Sequence, residues 1–142
     1  MFIREAALED VCAICNISCA DLGYDCSCEF VLTQINNLDK EREKVFVADV
    51  NGIVVGYVHA EKYQTLYFEP MINIKGLAVS SKFRRRSIGR MLLNRIENWA
   101  NEIGITKIRI NSGISRKEAH LFYRAMGYNN EKEQIRFIKD IE

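Results

Sequence analysis

A chain of 142 residues, 48% hydrophobic and 27% charged, is long enough for one domain with a real core and has the balance of a soluble globular protein. A net charge of +1, from 20 basic and 19 acidic side chains, excludes the broad basic excess of a general nucleic-acid binder. No apolar run approaches the roughly 18 residues that cross a bilayer, and Met1-Phe2-Ile3-Arg4-Glu5 lacks a signal peptide's basic-then-apolar layout, so a cytoplasmic chain away from membranes is expected.

In chain order, Phe2-Ile3-Arg4 begins as a short strand. Apolar residues at Leu8, Val11, Cys12, Cys15 and Cys19 have a helical period over Leu8–Ala20, and Phe30, Val31, Ile35 and Leu38 mark a shorter helix over Glu29–Leu38. The charged run Lys40–Lys44 reads as a solvated loop. Two β-rich runs, Val45–Val50 and Ile53–Val58, flank Asn51-Gly52, the residue pair of a type I′ hairpin turn. Met71–Val79 is a further strand in which Gly76 marks a bulge. Ile88, Met91, Leu92, Ile96, Trp99, Ala100 and Ile103 recur at the 3.6-residue period, broken only by Arg95, and Gly104 ends that helix. Lys107–Asn111 alternates as a strand, Lys117–Met126 is helical up to Gly127, and Gln134–Ile138 is a final strand. The order strand, two helices, three strands, helix, strand, helix, strand predicts an α/β or α+β fold, a sheet with helices on its faces.

All five cysteines fall within the first 28 residues. Their odd number, without a secretory signal, argues against a disulfide framework. Cys12, Cys15 and Cys19, three and four apart, share a helix face, and both histidines, His59 and His120, are remote in sequence. The expectation is reduced thiols acting as small apolar side chains, with no metal.

The most informative stretch runs from Leu77-Ala78-Val79 through Ser80-Ser81-Lys82-Phe83 into Arg84-Arg85-Arg86-Ser87-Ile88-Gly89-Arg90. A strand enters an arginine-rich turn and passes directly into the strongest helix. The first N–H groups of that helix have no intrahelical partner, and its dipole is positive there, so the corner suits a phosphate. Gly89 removes a side chain where a ligand approaches, and the arginines add bidentate donors. No P-loop pattern is present.

These residues resemble the GNAT superfamily of N-acetyltransferases, whose signature is Arg or Gln, two residues, Gly, one residue, then Gly or Ala after a bulged strand. Arg84-Arg85-Arg86-Ser87-Ile88-Gly89 matches except at Ser87, which stands where the first glycine is usual. The run Phe46-Val47-Ala48 to Val54-Val55-Gly56-Tyr57 resembles the family's central hairpin, and Arg116–Tyr128 its last helix and following turn. The resemblance implies one domain over residues 1–142, with a mixed, bulged and splayed sheet flanked by helices on both faces. It implies acetyl-coenzyme A as co-substrate, the backbone of Leu77, Ala78 and Val79 along the pantetheine arm, and the amides of Arg85, Arg86, Ser87, Ile88, Gly89 and Arg90 around the pyrophosphate. Arg84 and its neighbours would meet the adenosine phosphate.

The implied reaction is direct attack by a primary amine, of a small molecule or a peptide, within a ternary complex. Tyr123 stands where the family places the acid that protonates the departing thiolate; a phenol near pKa 10 suits that exchange. Glu69 and Glu61 are the carboxylates for a base, with His59 the nearby imidazole, and Asp21, Asp25 and Glu29 are available to line an acceptor pocket. Ser87 either strains a positive-φ position or caps the helix. The alternative function is a non-catalytic acyl-CoA-binding or regulatory domain of the same fold. Edge strands leave room for a homodimer.

Overall fold

The Asn51-Gly52 turn organises the sheet. Asn51 and Gly52 hold φ of 53° and 86°, the two left-handed residues a type I′ turn requires, and the Gly52 N–H donates to Asp49 Oδ1 at 2.7 Å. The turn joins β2 (Glu43–Val50) to β3 (Ile53–Tyr63). The computed structural model describes residues 1–84, 87–130 and 132–142, which form two compact units, Met1–Asn111 and Ser112–Glu142.

The first unit also holds β1 (Phe2–Glu5), α1 (Val11–Asp21) entered through a 3-10 turn at Leu8–Asp10, α2 (Cys28–Asn36), β4 (Met71–Val79), α3 (Ile88–Glu102) and β5 (Ile108–Ile110). Its sheet runs β1-β2-β3-β4-β5, antiparallel except for the parallel pair β4–β5. The expected loop at Lys40–Lys44 is shorter than predicted: Glu43 and Lys44 open β2, because Glu43 pairs with Glu61 in register and Lys44 Nζ reaches Glu5 Oε1 at 2.9 Å.

Strand alternation sorts the core into two layers. On one face Val47, Tyr57 and Ala78 pack with Ile14 and Ile17 of α1. On the other, α3 lays Ile88, Leu92, Leu93, Ile96 and Trp99 against the sheet, each buried and each contributing roughly 1.5–3 kcal/mol of transfer free energy. Gly56 sets how closely α3 approaches: a Cβ there would meet Ala78 O at 3.0 Å and Leu92 Cδ1 at 3.3 Å. Arg95, the polar break in the α3 stripe, stays compatible with burial by placing its guanidinium 4.3 Å from the Phe46 ring centroid.

The second unit contains α4 (Lys117–Ala125), closed by Gly127 at φ 94° and by the Tyr128 N–H donating to Tyr123 O at 2.9 Å. The expected strand at Gln134–Ile138 does not form: residues 132–142 carry no regular secondary structure. Alternation selects a face to bury, but a strand also needs an edge to pair with, and Ile135 and Phe137 remain 80% and 87% exposed.

Candidate active site

The site in the first unit begins with a mismatch in β4. His59 pairs with Gly76 while the next residue, Ala60, pairs with Ile74, so Lys75 is the extra residue of a bulge. The bulge falls beside Gly76, as the glycine inside the strand pattern predicted. The parallel ladder to β5 ends nearby, running only from Ile72↔Ile108 to Ile74↔Ile110. From there to Val79, β4 continues without β5 alongside. Ala78 pairs with Tyr57, and the Ser80 N–H donates to Val55 O at 2.8 Å, toward β3. By strand alternation the N–H groups of Leu77 and Val79 point the other way, away from β3 and beyond the end of the β5 ladder. Main-chain donors along a strand that runs on past its neighbour's ladder can pair with an extended amide-containing ligand.

The strand then turns through a 3-10 segment, Ser81–Phe83, into α3. Ser87 is the N-cap residue, with φ 62° and ψ 16°, the left-handed region that costs a non-glycine residue about 1 kcal/mol or more. Its side chain makes no capping hydrogen bond, so the capping role considered for it is not realised. Its carbonyl accepts from Met91 N–H at 3.0 Å, so Ile88, Gly89 and Arg90 form the first turn of a 15-residue helix, whose amides have no intrahelical acceptor among the described residues. Arg84 is pinned: its Nη2 lies 3.3 Å from Asp21 Oδ1, and the same oxygen accepts from Ser81 N–H at 3.1 Å. Asp21 is thus a brace between the end of α1 and the phosphate-like corner, not the acceptor-pocket acid that its sequence position suggested. Arg85 and Arg86 lie outside the described residues.

On the α1 side of the sheet, alternating polar residues form a network across four strands. His59 Nε2 lies 2.9 Å from Glu43 Oε1, and Lys75 Nζ lies 3.1 Å from the same oxygen and 3.4 Å from Glu61 Oε1. Asn73 Nδ2 donates to Glu61 Oε2 at 2.9 Å, while Asn73 Oδ1 accepts from Arg109 Nη1 at 3.0 Å. Burial pushes Glu43 upward, but hydrogen bonds from Lys75 and His59 outweigh it and hold the carboxyl below the usual range. Burial holds the His59 imidazole below its ordinary 6.5 against the opposing pull of Glu43. Lys75, at the bulge, therefore places an ammonium between two carboxylates. Sequence reading singled out His59 and Glu61 but missed Glu43 and Lys75; the signal was polar residues at every second position of β3 and β4.

Glu69 is not brought to this network. It is exposed and lines a separate surface cavity with Lys62, Pro70 and Gly104, beyond the C-terminal end of α3 and so at the opposite end of that helix from Ser87. An apolar groove of about 220 Å³ lies instead between α1, α2 and the sheet, lined among others by Tyr24, Cys26, Phe30, Tyr57 and His59.

In the second unit, Tyr123 is half-buried on α4, with its ring 5.5 Å from that of Phe122 and 6.3 Å from that of Tyr128. Burial pushes its phenol above 10, with Arg116 opposing, so the hydroxyl keeps its proton near neutrality. His120 Nε2 lies 3.0 Å from Gly113 O, a local tie between α4 and the turn before it.

Residues 11–128 match the Acetyltransferase (GNAT) family. The chain is 30% identical over 135 residues to an uncharacterised N-acetyltransferase of Chlorobaculum tepidum, spanning 92% of this chain and 77% of that protein. Its fold is similar to that of the aminoglycoside antibiotic 6'-N-acetyltransferase AAC(6')-IG of Acinetobacter haemolyticus, with a TM-score of 0.84 at 18% identity over all of both chains. It is also similar to AAC(6')-Iy in complex with the bisubstrate analog CoA-S-monomethyl-acetylneamine, with a TM-score of 0.84 at 15% identity over 99% and 98% of the two chains. At these identities the two structures speak for the fold.

Proposed function

The chain belongs to the GNAT acetyltransferase family, and from that premise we propose that it moves the acetyl group of acetyl-coenzyme A onto a primary amine of a small molecule. The observation that carries the reading is the pair of Leu77 and Val79 amides directed away from β3, followed in the chain by the first turn of α3 at Ser87. An amide-rich arm and a diphosphate are what such a strip of donors, followed by a positive helix end, can hold together. A protein of the same fold in complex with a bisubstrate analog of coenzyme A supports coenzyme A as the ligand class.

In this reading Leu77 and Val79 align the pantetheine arm, with the Ala78 backbone between them. Ile88, Gly89 and Arg90, with Arg85, Arg86 and Ser87 of the same motif, take the pyrophosphate. Arg84, held in place by Asp21, supplies a cation at the corner. A main-chain N–H beside the bulge, at Leu77, stabilises the oxyanion as the amine attacks the thioester carbonyl. Glu61 takes the proton of the attacking amine, directly or through water, and Tyr123 donates its phenolic proton to the departing thiolate. Tyr123 is assigned from its place in the family motif and Glu61 as an available carboxylate on the sheet; the Tyr123 phenol keeps its proton near neutrality and so has one to give. Glu69 remains the second carboxylate for the base, in an exposed position away from the His59–Glu43–Lys75 network.

The acceptor class follows from two features. Lys75 shows that the network between Glu43 and Glu61 stabilises an ammonium, and the adjoining groove is apolar, with a volume of about 220 Å³. A compact cationic amine fits both, and an aminoglycoside N-acetyltransferase among proteins of the same fold is consistent with it. The test is free-thiol release from acetyl-coenzyme A with polyamines, aminoglycosides, amino acids and short peptides. Turnover with small amines supports the reading. Coenzyme A binding without turnover on any amine would assign the non-catalytic role instead.

A further inference from the structure

The five cysteines gather at the junction of α1 and α2 in two groups. Cys12 is neighboured by Cys28. Cys15, Cys19 and Cys26 form a separate cluster in which the Cys26 Sγ lies 3.6 Å from that of Cys15 and 3.7 Å from that of Cys19, all three within 4.8 Å of one another.

The local sequence builds this cluster. Cys15 and Cys19 are one helical turn apart on α1. Gly23, at φ 76°, reverses the chain after α1, and the Tyr24 N–H donates to Ser18 O at 3.2 Å to hold the reversal. Ser27 then caps α2, its hydroxyl accepting from Phe30 N–H at 3.1 Å, which returns Cys26 onto the Cys15–Cys19 pair.

We propose that Cys15, Cys19 and Cys26 form a three-thiolate site for a single thiophilic cation of the zinc class, which ties the start of α2 to α1. A tetrahedral ion with sulfur ligands at about 2.3 Å separates them by about 3.8 Å, close to the two shortest distances observed. Packing alone does not account for the cluster, because Cys19 is exposed and gains nothing from apolar burial. A disulfide would use two of the sulfurs and leave the third without a role. Three protein ligands leave a fourth position for water, and the exposed Cys19 marks the side from which an ion enters. Cys26 also lines the apolar groove beside Tyr57 and His59, so the clamp sets the width of that groove. This inference stands apart from acetyl transfer and is read without it.

The test uses the full chain, reduced, stripped with a chelator and kept anaerobic. Co²⁺ titration is expected to give thiolate-to-cobalt charge-transfer absorption saturating at one equivalent, displaced by one equivalent of Zn²⁺, with a Zn²⁺-dependent rise in Tm. Cys19→Ser, at an exposed position, should lower Zn²⁺ affinity by at least about tenfold and bleach the cobalt band while circular dichroism stays native. Cys12→Ser should change neither. Absence of the band in folded wild-type protein, its persistence in Cys19→Ser, or its loss in Cys12→Ser would each overturn the proposal.

Discussion

Asp21 Oδ1 lies 3.3 Å from Arg84 Nη2 across 63 positions of sequence, and through that contact the end of α1 steadies the corner that precedes α3. The carboxylate is almost buried while the guanidinium is half open, so the pair itself is screened and weak. Its effect is positional, since the same oxygen holds the Ser81 amide. Asp21→Ala should cost about 1 kcal/mol of stability and weaken coenzyme A binding about fivefold. Calorimetry on the variant decides it; unchanged affinity would mean that the brace does not serve the ligand.

Ser87 has the backbone of a glycine. Its left-handed conformation is strained, and its hydroxyl makes no capping bond to offset the strain. Ser87→Gly should therefore raise stability by about 1 kcal/mol, a few degrees in Tm, and leave coenzyme A affinity equal or better. A marked loss of affinity in a stabilised Ser87→Gly protein would show that the hydroxyl is itself a ligand.

Burial pushes the Tyr123 phenol upward, so the group available to a departing thiolate is the protonated one. Tyr123→Phe should lower kcat by about 10²–10⁴, the range of general acid catalysis, with little change in KM for acetyl-coenzyme A. An unaltered kcat would remove Tyr123 from the chemistry and leave it as a packing residue beside Phe122 and Tyr128.

What the sequence disclosed was what local chemistry decides. Asn51-Gly52 specified its turn, the apolar period specified α3, and Gly76 marked the bulge. The phosphate-like corner was legible for the same reason, as a strand running into a strong helix. Features that depend on partners distant in sequence were not legible. Nothing local tells that Asp21 meets Arg84, or that Lys75 lies between Glu43 and Glu61. The period of Cys12, Cys15 and Cys19 suggested a common face, yet the chain reversal at Gly23 made Cys26, and not Cys12, the third member of the cluster. Gln134–Ile138 has the alternation of a strand, but alternation cannot supply an edge to pair with.

His59 gives the molecule an acid limb whose sign can be worked out. Burial holds the imidazole below its ordinary 6.5, and the hydrogen bond to Glu43 only partly opposes this. The unfolded chain therefore binds a proton on His59 at a higher pH than the folded chain does. Stability contributed by the neutral, buried ring is present above pH 6.5 and is lost as pH falls through the folded pKa, at no more than about 1.4 kcal/mol per pH unit for one proton. Glu43, held below 4.5, adds a second loss in the same direction at lower pH. His59→Gln keeps a donor for Glu43 without a titrating ring, so its stability should be flatter than wild type as pH falls below about 6.5 and parallel to it above pH 7. Urea unfolding across that range measures the difference. Parallel curves throughout would show that His59 titrates alike in the folded and unfolded chains, and the burial of its ring between α2 and the sheet would have no energetic consequence.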